Sequence, residues 1–295
     1  MSNSKKSKAK EQNLNKMIID SHTHAWAKWP YQPRVPDEDS RGRIEQLLYE
    51  MNQVGVDIAV IICACIDHNP DNNDYIFDCI RKYSGRFVQF ADIDSFWSRT
   101  YHTNGASERL AESAIKYSLK GYTHYLREDD DCAWFWTDEG QKFFKTTSDL
   151  GLIASIALSP YHQIPLRRIA EKYPETPFLC HHISGAKAAE NPPYHKLKEI
   201  LASARLPNIY IKVSGFAYVS QVAWDYPYYD TGWILRAIYE HFGPDRLCWG
   251  SDYPVVRSSM TYRQALEVLR KHCDFIPDDD KEKILGGSLQ RLLMQ

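Results

Sequence analysis

A chain of 295 residues can bury one large core, and 36 basic residues against 38 acidic ones give no field that would gather nucleic acid or an anionic membrane. No apolar run reaches the length of a membrane span, and seven cysteines without paired spacing read as reduced core residues of a cytoplasmic protein, not as a disulfide or zinc framework. What stays open is a small molecule as ligand.

Residues 1–16, MSNSKKSKAKEQNLNK, are polar and basic and are expected to form a disordered tail, which leaves 17–295 as the folded domain. The first apolar run, MIIDSHTH over 17–24, ends in two histidines one residue apart. On a strand, side chains two apart share a face, so Asp20, His22 and His24 are expected to project together from its C-terminal end. Two imidazoles fixed on one rigid strand suit a divalent metal.

Seven further strand-like runs follow, at 57–63, 86–91, 119–124, 152–158, 177–182, 209–213 and 246–250. Amphipathic helical patterns lie between them. Ile44, Leu47, Leu48, Met51 and Val54 keep one face at steps of three and four, as do Leu166, Ile169, Ala170 and Tyr173, and later Tyr262, Ala265, Leu266 and Leu269. Eight strand-then-helix units, with no Gly-rich phosphate loop after the first strand, predict a single-domain, closed (β/α)8 barrel.

The longest excursions, 25–40, 95–107, 126–137 and 216–230, all come after a strand and before its helix, where a barrel builds its sites. Three of them, the first, third and last, are aromatic-rich, with Trp26, Trp29 and Tyr31, with Trp134, Phe135 and Trp136, and with Tyr218, Trp224, Tyr226, Tyr228 and Tyr229; these are candidates to wall a pocket, and exposed ones leave a homodimer open. The polar residues at the strand ends are His22 and His24, then His181 and His182, then Lys212, then Asp252 in CWGSDYP. Strand alternation admits only one of His181 and His182 to the interior, and Gly250, sharing a face with Asp252, is expected to leave room for a ligand. Such a set can hold one divalent ion, Zn²⁺ or Mn²⁺, with Asp252 as the base that takes a proton from water.

The segments DSHTHAW, GLIASIAL, PETPFLCHHISG, NIYIKVSGF, FGPDRLCWGSDYPVV and KILGGSLQRLL, in this order, resemble the signature segments of the amidohydrolase superfamily. The resemblance is to the branch of lactone hydrolases that includes sugar-lactone lactonases, sulfomuconolactone hydrolase and 2-pyrone-4,6-dicarboxylate lactonase. It implies a distorted (β/α)8 barrel that opens a carboxylic ester ring, with a divalent metal in some members and none in others. Carried onto this chain, it implies His22, His24, His182 and Asp252 around the metal, and Asp252, Lys212 and His182 as the catalytic set. His124, Trp26, Tyr253 and Arg257 are expected as substrate contacts. Where relatives carry an arginine on the fourth strand, this chain has Thr123, which speaks against a dicarboxylate substrate.

Two alternatives stand beside this reading. A related branch performs metal-dependent, non-oxidative decarboxylation of aromatic or muconate-type acids and would need a basic group, such as Arg257 or Lys212, for the leaving carboxylate. The other is a barrel that binds a ligand without turning it over.

Overall fold

The computed structural model describes residues 17–295, so the expected tail lies outside the described residues. Its eight strands are β1 (Ile19–Thr23), β2 (Ile58–Ile62), β3 (Phe87–Asp92), β4 (Gly121–Tyr125), β5 (Ile153–Ala157), β6 (Phe178–Cys180), β7 (Ile209–Val213) and β8 (Leu247–Trp249). They form one sheet in the order β1 to β8, every neighbouring pair parallel. The principal outer helices are α1 (Ile44–Val54), α2 (Asn72–Lys82), α3 (Ala106–Tyr117), α4 (Asp138–Asp149), α5 (Gln163–Lys172), α6 (His195–Ala202), α7 (Gly232–Phe242) and α8 (Tyr262–His272). This is the single-domain (β/α)8 barrel that the alternation of strand-like and helical segments predicts.

The helices form where the apolar spacing places them, and their ends carry local signals. Thr261 opens α8 with a capping box, its Oγ1 accepting from the Gln264 amide at 3.1 Å while Gln264 Oε1 accepts from the Thr261 amide at 2.8 Å. Thr137 caps α4 by accepting from the Gly140 amide. The buried faces of these helices make one apolar layer with the outward strand residues, such as Ala59, Ile61 and Tyr122. A second, inner core of Ile19, Val60, Ile62, Phe90, Ile153, Leu179 and Cys248 fills the barrel, plugged by Leu289 and Leu292 of the last helix (Ser288–Leu293). No helix among the described residues is long and apolar enough to cross a membrane. All seven cysteines are unpaired and six of them are buried, as their apolar surroundings predict.

The barrel closes differently from its other seams. β8 ends at Trp249, and β1 meets the chain beyond it through a bridge between Thr23 and Tyr253. The Asp252 amide donates to His22 O at 2.8 Å, and the His24 amide donates to Tyr253 O at 2.6 Å. The Ser251 amide adds a bond to the Asp20 carboxylate at 2.9 Å. The closing hydrogen bonds are therefore made by the backbone of the candidate site residues themselves, which fixes His22, His24 and Asp252 relative to one another.

Candidate active site and metal centre

The register of β1 shifts between Asp20 and Thr23. A bulge of this kind breaks the two-residue alternation, and the three residues expected on one face separate. Asp20 turns outward, accepting from Tyr262 Oη of α8 at 3.0 Å and from the His22 and Ser251 amides. Burial raises its carboxyl to about 6, and the role it plays is to tie β1 to the chain after β8. His22 and His24 both reach the barrel mouth. Gly250 is what permits this: a Cβ there would lie 2.8 Å from His22 Cβ and 3.1 Å from its backbone nitrogen. The space at Gly250 thus serves the bulged strand, not a ligand as its face-sharing with Asp252 suggests.

The Nε2 atoms of His22 and His24 are 3.2 Å apart, and Asp252 Oδ1 lies 3.6 and 3.4 Å from them. Four ligand atoms each about 2.1 Å from a tetrahedral Zn²⁺ stand about 3.4 Å from one another. The three observed spacings fit that figure. His24 Nδ1 is 2.7 Å from Ile62 O, which can only accept, so in the neutral ring the proton sits on Nδ1 and Nε2 presents its lone pair. Trp26, fully buried, stacks on His24 at 5.1 Å between centroids and donates Nε1 to Ala64 O, so it sets the plane of that imidazole and does not reach a ligand.

His181 and His182 both reach the site. β6 ends at Cys180; His181, the next residue inward, pairs Nε2 with Ser155 Oγ at 2.7 Å and meets His22 edge-on. Beyond it the alternation no longer holds, because His182, Ile183 and Ser184 take left-handed backbone at φ 45, 52 and 55. Each such residue costs roughly 1–2 kcal/mol, and the result is a turn that swings His182 back toward the mouth. There its Nε2 lies 4.0 Å from Asp252 Oδ1 and its Nδ1 3.1 Å from Ser214 Oγ. Gly215, itself at φ 70, leaves the space: a Cβ would meet His182 Nδ1 at 2.8 Å. The groups able to share an ion are His22, His24 and Asp252, and separately His22, His181 and His182. Burial first, then neighbouring positive charge from Lys212, holds His22 and His181 well below the usual imidazole range, and burial lowers His182 to about 4. Neutral rings of this kind are the ligand form.

Asp252 sits at φ 63. Burial pushes its carboxyl up, but His182, His24 and a hydrogen bond from Tyr218 outweigh it and hold the group below its ordinary value. Its two oxygens are divided: Oδ1 faces the histidines, while Oδ2 accepts from Tyr218 Oη at 2.7 Å. Removing that donor favours the neutral acid. Tyr218→Phe is expected to move the acid limb of kcat/KM to higher pH and to lower kcat by roughly threefold to tenfold at neutral pH. Parallel pH–rate profiles of the two proteins read this out.

Lys212 lies inside the barrel beneath these groups, with no exposed surface. Its Nζ donates to Ser155 Oγ at 2.8 Å and is 3.1 Å from His22 Nδ1, and burial pushes its ammonium well below the usual lysine range. A buried chain thus runs from His181 through Ser155 and Lys212 to His22. Its place is behind the ligands, where it orients His22, and it does not line the cavity above. Lys212→Met should keep the melting temperature within a few degrees, since a buried charge is replaced by an apolar chain of similar length. It should lower turnover at least about tenfold through loss of the His22 Nδ1 partner. Kinetics and a thermal melt on the same preparation check both halves.

The cavity over this centre holds about 450 Å³ and is lined in part by His24, His182, Asp252, Tyr218, Tyr125 and Tyr31, with Phe96, Trp97 and Asp67 farther out. Of the aromatic loops, only Tyr31 and Tyr218 contribute. Trp134 packs flat on His102 at 4.3 Å and against Phe143 of α4. Phe96 and Trp97, in the loop after β3, escape sequence reasoning, and Tyr125 escapes it although it shares a face with Thr123. His124 points the other way, toward α4, with Nδ1 2.8 Å from Ile93 O and Nε2 3.3 Å from His102 Nε2. Tyr253 is fully buried, edge-on to Tyr262, and Arg257 is exposed on the turn Val255–Ser258 outside the cavity lining. The structure therefore does not bring His124, Trp26, Tyr253 or Arg257 to the cavity wall.

Comparison with known proteins agrees with the barrel fold. The profile of the family described as amidohydrolase matches residues 19–293. An L-fucono-1,5-lactonase from Burkholderia ambifaria is 25% identical, aligning over 92% of this chain and 93% of its own. A protein from Acinetobacter baumannii described as a probable 2-pyrone-4,6-dicarboxylic acid hydrolase, solved with citric acid bound, superposes with a TM-score of 0.75 at 18% identity, covering 94% of this chain and 99% of that one. An amidohydrolase from Burkholderia multivorans solved with bound zinc gives 0.72 at 18% identity, over 94% and 99% of the two chains. With the family profile spanning the barrel from its first strand to its last helix, this chain belongs to the amidohydrolase family.

Proposed function

We propose that the protein hydrolyses a lactone, and that the lactone is neutral and sugar-like. The observation that carries the second part is the cavity wall: among the described residues its carboxylates are Asp67 and Asp252, and no lysine or arginine lines it. A substrate carboxylate would meet negative charge and no counter-ion, which disfavours both a dicarboxylate lactone and decarboxylation of an aromatic acid. Lys212 and Arg257, the cations that decarboxylation would use, lie below the cavity floor and outside its wall. Aromatic faces with a few polar groups suit a hydroxylated ring, and a fuconolactonase among the relatives points the same way.

His22, His24 and Asp252, with His182 in support, would hold a divalent ion, zinc by the spacing of their ligand atoms and by the zinc-bound relative. When bound, such an ion supplies Lewis-acid polarisation of a carbonyl and a lowered pKa for water. The chain's own residues do the proton work. Asp252 accepts the proton of the attacking water as its oxygen bonds to the lactone carbonyl carbon. The ring C–O bond then breaks, and Asp252 returns the proton to the departing ring oxygen. One water is consumed and one carboxylic acid formed. Tyr218 keeps Asp252 aimed, and Lys212 keeps His22 aimed.

A pH-indicator screen of L-fucono-1,5-lactone and related neutral lactones, a muconolactone and aromatic acids tests the reading. Acid release from the neutral lactones in excess over the muconolactone is expected. Turnover confined to aromatic acids, with release of CO2, would replace it by the decarboxylase reading.

A further inference from the structure

Asp67 follows β2 in a loop tied on both sides of it to the loop after β1: Trp26 Nε1 donates to Ala64 O at 3.0 Å before it, and three bonds follow it. His68 Nε2 bonds Trp29 O at 3.0 Å, Asn69 Oδ1 accepts from the Lys28 amide at 3.2 Å, and Asn69 Nδ2 donates to Lys28 O at 3.0 Å. Between these ties Asp67 is held at φ 48, a left-handed conformation that aspartate tolerates better than most residues. Asp67 lines the cavity with an exposed side chain, and no described residue gives its carboxylate a hydrogen bond or an ion pair. The backbone is thus pinned while the acceptor oxygens are left free.

Tyr31, in the loop after β1, lines the same cavity and packs edge-on against Trp26 and Trp29. Its hydroxyl has no hydrogen-bond partner among the described residues. Burial raises its phenol first, and the negative charges of Asp252 and Asp67, which line the same cavity, raise it further. These two polar groups without partners among the described residues, on a wall they share with Phe96, Trp97 and Tyr125 and with the aliphatic Ala64, Ile66 and Val255, are acceptor and donor for something in the cavity.

Resting on the lactonase reading above, we infer that Asp67 and Tyr31 are the specificity-determining pair. The Asp67 carboxylate accepts hydrogen bonds from two neighbouring hydroxyls of the lactone ring, and Tyr31 serves a third oxygen. A carboxylate fixed in place is suited to this, because it has two oxygens for paired O–H donors and forms charge-assisted bonds. The same charge repels an anionic ring. Selection is therefore both positive, for hydroxyls, and negative, against carboxylates.

The test uses the full-length, metal-replete protein and three probes: L-fucono-1,5-lactone, the hydroxyl-free δ-valerolactone of equal ring size, and a muconolactone. For Asp67→Ala, the ratio of kcat/KM for the fuconolactone over the valerolactone is expected to fall at least about tenfold. Asp67→Asn, which keeps shape and tolerates the left-handed backbone, should lower that ratio less and raise kcat/KM for the muconolactone at least about threefold. Ratios unchanged in both folded variants would overturn the role of Asp67 while leaving lactone hydrolysis standing. A wild-type protein that opens none of the three lactones would instead remove the lactonase reading, and this assignment with it.

Discussion

Replacing Asp252 by asparagine is expected to lower turnover by about a hundredfold or more while leaving the fold intact. The amide matches the carboxylate in shape and can still accept from Tyr218 Oη through its carbonyl oxygen. It cannot take a proton from water, nor return one to the ring oxygen. Nothing in the barrel closure depends on the lost charge, because the closing bond at this residue comes from its backbone amide to His22 O. The sign of the pH dependence follows from the same surroundings. With the carboxyl held below its ordinary value, Asp252 is ionised throughout the neutral range and becomes inactive only as pH falls through that lowered pKa. Wild-type activity should therefore hold through neutrality without a loss attributable to this group. Turnover and a thermal melt on the one variant separate catalysis from stability, and near-normal turnover in a folded asparagine variant would remove Asp252 as the base.

Loss of the metal is the second large effect. Protein purified without chelators is expected to carry about one equivalent of Zn²⁺ or Mn²⁺, and His22→Ala or His24→Ala to carry little. Loss of an outer partner of a metal ligand costs tenfold to a hundredfold in affinity or activity, and loss of a ligand should exceed that. The two variants differ instructively. His22 is packed against His181, His182 and Lys212, so its removal also leaves Lys212 short of a partner. Beyond the ligand atoms of His22 and Asp252, His24 touches Trp26 and a single carbonyl, so its removal disturbs less. Elemental analysis of all three proteins, with melting curves alongside, checks the expectation. Wild-type activity that survives exhaustive chelation, together with an active His22→Ala variant, would point to the metal-free mode that the resemblance to lactone hydrolases also allows.

Much of this was legible in the amino-acid sequence because period-two and period-3.6 patterns report burial directly. The run from Ile209 to Val213 is buried on both faces, so Lys212 had to be an interior lysine, and the helical stripe from Tyr262 to Leu269 had to cover the sheet. What the pattern could not report is where it breaks. The bulge in β1 sends Asp20 out and His22 in, and the left-handed turn at His182 lets two adjacent histidines serve one mouth. Neither follows from alternation; both are backbone irregularities, stabilised by the close approaches at Gly250 and Gly215. His124 illustrates the opposite case, a polar residue at a strand end whose parity, shared with Tyr122, puts it outside. The structure settles that parity at Gly121, whose missing side chain makes room for Phe90 of the inner core and so puts His124 on the opposite face. Loop aromatics were the least legible, since whether Trp134 or Trp97 faces a cavity depends on contacts with residues far off in the chain, His102 for the one and Tyr125 for the other.

The central claim is that water opens a lactone at this centre with Asp252 as its base. Single-turnover hydrolysis of L-fucono-1,5-lactone in oxygen-18 water, followed by mass spectrometry of the product, tests it most directly. The account predicts one heavy oxygen per product carboxylate, gained well above the enzyme-free rate by the wild-type protein and not by Asp252→Asn. A lactone consumed without heavy oxygen in its carboxylate, or one consumed equally fast by the asparagine variant, would contradict it.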